Sequence, residues 1–97
     1  TKLHAPTLIV SNLFRFFHYV ALVHRHQLRD PNSIKHKLGV NYFQARDYAK
    51  ASSLYSLSKV YRNLGYIEEV ARTLKGLIPT HTNERQLLKT LVWRLLN

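Results

Sequence analysis

The chain has 97 residues, with 15 lysines and arginines against five acidic residues, a net charge of +10 and no cysteine. That length accommodates one modest core. A hydrophobic content of 45% supports a folded globule rather than a disordered chain, and the lack of cysteine excludes disulfide scaffolds and thiolate zinc sites. The charge points to a nucleic-acid partner or an acidic protein surface without separating the two.

Pro6 suits the first turn of a helix, where its missing N–H costs nothing. One long helix is expected from there to about Gln27. Ser11, Arg15, His18, Leu22, Arg25 and Arg29 fall at steps of three and four and form a polar stripe broken only by Leu22. Leu13, Phe16, Phe17, Val20 and Val23 fill the opposite side. Val10, Phe14, Phe17 and Ala21 make a second apolar line beside them. Ser11, Asn12, Arg15 and His18 interrupt the apolar stretch from Ala5 to Val23, so no membrane span is expected. No signal-sequence pattern opens the chain.

Asp30-Pro31-Asn32-Ser33 is a turn with helix-start chemistry, with Asn32 or Ser33 expected to cap a short helix through Leu38. Gly39 ends that helix, because its C′ position favours left-handed backbone. Asn41 caps a further helix over about Tyr42–Lys50. Ser52 or Ser53 starts a long one over about Leu54–Leu74, with Leu54, Leu57, Tyr61, Leu64, Ile67 and Leu74 as its core. Gly65 inside it costs about 1 kcal/mol relative to alanine. Gly76, Pro79 and Thr80 close the segment. Thr82, with Glu84 in the first turn, begins a last helix to about Leu96. Its apolar face is Leu87, Leu88, Leu91, Val92, Leu95 and Leu96. No strand alternation is visible. The expected fold is all-α, a single compact bundle of about five helices spanning residues 1–97.

Catalytic chemistry is hard to find. Glu68 and Glu69 are adjacent and diverge by about 100° on a helix, which suits no acid–base pair. His24 and His26 face apart, and no HExxH, Walker-type or GxGxxG motif occurs. Neither a catalytic residue, a metal site nor a cofactor is expected.

Ile34–Tyr48 reads as two short helices joined at Gly39, the pattern of a helix-turn-helix. In that reading Gln44 reads adenine and Arg46 guanine, Lys50 lies on the same helix, and Lys35 and Lys37 meet phosphates. Tyr42, Phe43 and Tyr48 count against it, since aromatic residues on so short a helix are expected in a core.

A succession of motifs points elsewhere. Leu13-Phe14-Arg15-Phe16-Phe17 lies in the first helix and Leu38-Gly39-Val40-Asn41 in the turn. Arg46-Asp47-Tyr48 follows, then Ala51, Tyr55 and Lys59-Val60. Lys75-Gly76 ends the long helix, and Leu87-Leu88-Lys89-Thr90-Leu91 lies in the last. Together they resemble the C-terminal domain of the delta subunit of bacterial DNA polymerase III, in forms from the Bacteroidetes group. Two positions depart from the family: Tyr42 stands where proline is common, and Ala71 stands where an acid often sits four before the lysine.

The resemblance implies a non-catalytic collar domain, the third domain of a longer bacterial, cytoplasmic clamp-loader subunit that serves DNA replication. Its implied partners are the gamma/tau and delta-prime subunits, with the sliding clamp reached only through the other domains of delta. Gly39 then acts as a bundle hinge, with Asp47 and Tyr48 as capping and packing elements. The candidate partner interface is Phe14, Arg15, Phe17, Arg25, Arg29 and Trp93, where arginine suits carboxylate contacts and tryptophan suits interface anchors.

Overall fold

In a computed structural model of the chain, residues 5–76 and 83–97 are described. They form an all-α fold of five helices: α1 (Ala5–Arg25), α2 (Pro31–Leu38), α3 (Tyr42–Leu54), α4 (Leu57–Leu74) and α5 (Glu84–Leu96). Thr82, expected to start the last helix, lies outside the described residues, and so do Pro79 and Thr80.

The helix ends follow from local chemistry. Beyond Arg25 the backbone closes with Leu28 N–H on Val23 O and Gln27 N–H on His24 O, at 3.0 and 3.1 Å. These are the two bonds of a Schellman motif, and they place Gln27 at φ 55° where glycine is usual. The helix therefore stops two residues short of the expected end. Arg29 lies beyond it and does not continue the polar stripe of α1.

Asp30, not Asn32 or Ser33, caps α2. Its carboxylate accepts from Ser33 N at 2.7 Å and Ser33 Oγ at 3.0 Å, with Pro31 at the first helical position. Those donors hold the Asp30 carboxyl below its ordinary pKa. Gly39 ends α2 at φ 67°, and its N–H reaches Lys35 O, as expected. Asn41 caps α3 as expected, and a reciprocal capping box joins it to Gln44.

The boundary between α3 and α4 lies later than expected. α3 runs four residues past Lys50. The chain then breaks at Tyr55, in extended backbone. Ser56, not Ser52 or Ser53, receives the Lys59 N–H at 3.2 Å. Ser52 and Ser53 instead return their hydroxyls to the Ala49 and Lys50 carbonyls within α3.

The described chain divides into two compact units. One holds α1 through Arg15, α4 from Arg62, and α5; the other is Phe16–Tyr61. In the second unit the core is Phe17, Val20, Ala21 and Val23 of α1, Ile34 of α2, Ala45, Tyr48 and Ala51 of α3, and Val60. Aromatic rings dominate it. Phe17 meets Phe16 and Tyr55 edge-on, at 5.3 and 5.4 Å between centroids, while Tyr48 lies against Phe16 and Tyr19 at 5.4 and 5.2 Å. Such pairs add about 0.5–1.5 kcal/mol each beyond area burial.

In the first unit Val10, Asn63, Ile67, Leu91 and Leu95 are buried. The buried stripe of α4 is thus Val60, Asn63 and Ile67, at helical steps of three and four. Of the expected core positions only Ile67 is fully inside. Leu57, Leu64 and Leu74 are half-buried, whereas Leu54 is 70% exposed and Tyr61 is exposed.

The buried polar residue has a reason. Asn63 Nδ2 donates to Leu95 O at 3.2 Å. Leu95 is in the last turn of α5, where carbonyls lack a helical partner. Asn63 therefore caps α5 from α4, and among the described residues its Oδ1 has no hydrogen-bond partner. Asn63→Ala should lower unfolding stability by about 1–3 kcal/mol, because a buried carbonyl loses its donor. Urea unfolding followed by circular dichroism measures this; an unchanged midpoint would show that the bond contributes nothing.

Candidate functional site

The expected site residues separate into several environments. Arg15, Arg25 and Arg29 are exposed, and Phe14 is 36% exposed. Phe17 is a core residue of the second unit, not a surface anchor: it is buried between Phe16 and Tyr55.

Trp93 is 66% exposed on α5. Exposed Val92 and Leu96 share its face, with Lys89 and Arg85 one and two turns earlier. The face opposite holds Leu91 and Leu95, both buried. α5 thus carries apolar side chains on two sides, one spent on its own unit and one exposed. The expected single apolar face of six residues divides accordingly.

The α2–α3 pair is packed together around the Gly39 turn. Lys35 and Lys37 are exposed on the last turn of α2, and Gln44, Arg46 and Lys50 are exposed on α3. Gln44 is already engaged. Its Oε1 accepts the Asn41 N–H at 3.2 Å, while its own N–H donates to Asn41 Oδ1 at 2.8 Å. Bidentate reading of adenine requires that amide oxygen, so the capping box competes with base readout.

The aromatic residues also divide. Tyr48 is core, but Tyr42 and Phe43 are 43% and 67% exposed, contrary to the expectation that all three are buried. The Arg46 guanidinium lies 5.5 Å from the Phe43 ring centroid. Asp47, expected as a capping element, is exposed in the middle of α3 and stands at neither end of the helix.

Several chemistry-bearing groups elsewhere are engaged within the fold. Glu68 and Glu69 lie 3.9 Å from Arg72 and Arg94 respectively, and Arg94 also covers the Tyr66 ring at 5.1 Å. A cleft of about 540 Å³ in the second unit is lined by Val23, His24, Gln27, Arg29, Ser52 and Ser53, among others. His24 Nε2 donates to Tyr55 O at 2.8 Å, and the two serine hydroxyls donate to their own helix. Among the described residues no three His, Asp or Glu side chains gather as a metal site.

By length and composition the Pro6–Arg25 stretch is apolar enough to cross a membrane. Its polar positions Ser11, Asn12, Arg15 and His18 are exposed, and Phe17, Val20, Ala21 and Val23 are already buried by protein. A mid-span arginine such as Arg15 costs about 2.5–3.5 kcal/mol on insertion scales, while Leu8, Ile9 and Phe14 of the same helix are exposed.

Comparison with protein-family models, with curated proteins and with solved structures finds no match.

The backbone at Tyr42 is one that proline also fits. Tyr42 is the first residue of α3, and Asn41 before it is extended at ψ 169°. That position and that predecessor both favour proline. Tyr42→Pro should therefore leave stability unchanged or raise it by about 0.4–1 kcal/mol through the unfolded state. A drop of more than about 1 kcal/mol in urea unfolding would mean that the Tyr42 ring contributes packing beyond its exposed position.

Proposed function

We propose that this chain is a non-catalytic assembly domain of the collar type found in the DNA polymerase III delta subunit, supporting clamp-loader assembly for DNA replication. The observation that carries the reading is the two-sided α5. Its Val92, Trp93 and Leu96 face is exposed while Leu91 and Leu95 fill its own unit. A helix with a second apolar side suits a subunit that packs against neighbours, and tryptophan is over-represented among interface residues that dominate binding. Arg85 and Lys89 on that face suit acidic partner rims. The motif succession from Leu13 to Leu91 supports the same reading. Its departures weigh little: Tyr42 occupies a position whose backbone accepts proline equally well, and Ala71 removes only a surface ion pair, typically worth about 0–1 kcal/mol.

The helix-turn-helix alternative retains its packed α2–α3 pair but needs the Gln44 amide that the capping box holds.

The test is assembly of the full chain with its cognate gamma/tau and delta-prime subunits. Co-elution in size-exclusion chromatography without DNA is expected. Trp93→Ala should weaken the association at least about ten-fold, the loss expected of an interface anchor. Elution of the chain by itself at micromolar concentrations of all three would overturn the proposal.

A further inference from the structure

We propose that the exposed face of α3, with the end of α2 beside it, binds single-stranded nucleic acid by base stacking. Tyr42 and Phe43 are the stacking platform, Arg46 and Lys50 take the phosphates beside them, and Lys35, next to the Gly39–Val40 turn, extends the cationic track. The proposal is independent of the collar reading, whose apolar face lies on α5 in the other unit.

Four observations converge. First, Tyr42 and Phe43 begin α3 with both rings exposed, 6.1 Å apart and inclined at 79°. An edge-to-face pair presents ring faces in different directions, so two successive bases can each find one. Second, Arg46 lies over the Phe43 ring. A guanidinium stacked on an aromatic ring remains charged and is itself a plane on which bases stack.

Third, the surroundings are cationic. Phe16–Tyr61 carries seven lysines and arginines against two aspartates. One of these, Asp30, has its carboxylate held by Ser33. The other, Asp47, is exposed one turn beyond Phe43 on α3, with Arg46 before it and Lys50 three residues after it. Arg46 and Lys50 flank that single carboxylate, so the face that carries Tyr42 and Phe43 keeps a positive balance.

Fourth, the geometry favours single strands over duplex. Base edges in a groove are read by hydrogen-bonding side chains, and Gln44 is engaged at its own helix cap. Stacking needs no such reader. It requires unstacked bases, exposed aromatic rings and cations for the backbone.

The experiment is fluorescence anisotropy of the full chain with labelled oligothymidylate and oligouridylate of about 15 nucleotides, and with a DNA duplex of equal length. Both single strands should bind more tightly than the duplex. Tyr42→Ala and Phe43→Ala should each weaken single-strand binding at least about five-fold, and Phe43→Trp should restore it, since any aromatic face stacks. Circular dichroism confirms that each exposed-site variant keeps its helices. Lys35→Ala with Lys50→Ala should flatten the salt dependence by about 0.7 in log–log slope for each phosphate that is no longer neutralised.

Tighter binding to duplex, with the aromatic variants unchanged, would overturn the proposal in favour of groove binding. Equal displacement by polyglutamate, again with the aromatic variants unchanged, would reduce the surface to a general anion binder and overturn it too. Absence of binding at low salt would do the same.

Discussion

The break at Tyr55 is the constraint that sets where α3 ends and α4 begins. Between Asn41 and Asn63 the sequence contains neither glycine nor proline. Local propensity alone would let α3 continue into α4. In an unbroken helix the inward Ala45–Tyr48–Ser52 line would run on through Tyr55, Lys59, Arg62 and Tyr66. Two cations would be turned inward, and Val60 and Ile67 would be turned out. Tyr55 prevents this. His24 Nε2 holds its carbonyl oxygen and Phe17 packs on its ring. His24 and Phe17 are seven residues apart, two turns along one face of α1. The carbonyl of Tyr55 is thereby diverted from a helical bond, and Ser56 starts a new helix with Val60, Asn63 and Ile67 inward.

The same constraint explains how much of the fold is legible in the sequence. Helix ends set by one residue and its neighbours can be read directly: Gly39 is a left-handed stop and Asn41 a cap. Where two local candidates compete, the reading is close but displaced. Asp30 caps α2 because Pro31 at the first helical position puts it at the N-cap, a consequence the turn motif already contains. The α3–α4 break is misplaced by sequence reasoning because its cause lies in α1, some 30 residues away in sequence, where no local pattern reports it. The error then spreads. A helix begun at Ser52 or Ser53 has the wrong inward face, which puts Leu54 and Tyr61 in the core and leaves Asn63 out. Asn63 is inside because it serves the end of α5, another contact invisible to periodicity.

The candidate surfaces are legible in the same uneven way. Trp93 stands out as an anchor by residue type, and it is exposed. Phe17 stands out for the same reason, but it belongs to the aromatic core that fixes Tyr55. On α3 the assumption that aromatic residues are buried holds for Tyr48 and fails for Tyr42 and Phe43. The three differ in helical position: Tyr48 shares a face with Ala45 and Ala51, whereas Tyr42 and Phe43 lie on the far side. Gln44, by type an adenine reader, is drawn into the capping box because it stands three residues after Asn41. Residue type identifies the candidates, and position on the helix decides what each can do.

The most direct measurement of the central claim is the Cα chemical shift of Tyr55 and Ser56 in the full chain and in a His24→Ala variant. If the Tyr55 carbonyl is held from α1, loss of the imidazole should move both shifts toward helical values and disturb the resonances of Val60, Asn63 and Ile67. If Tyr55 keeps its extended shifts and α4 is undisturbed, the break is local, and the His24–Tyr55 bond does not determine which face of α4 is buried.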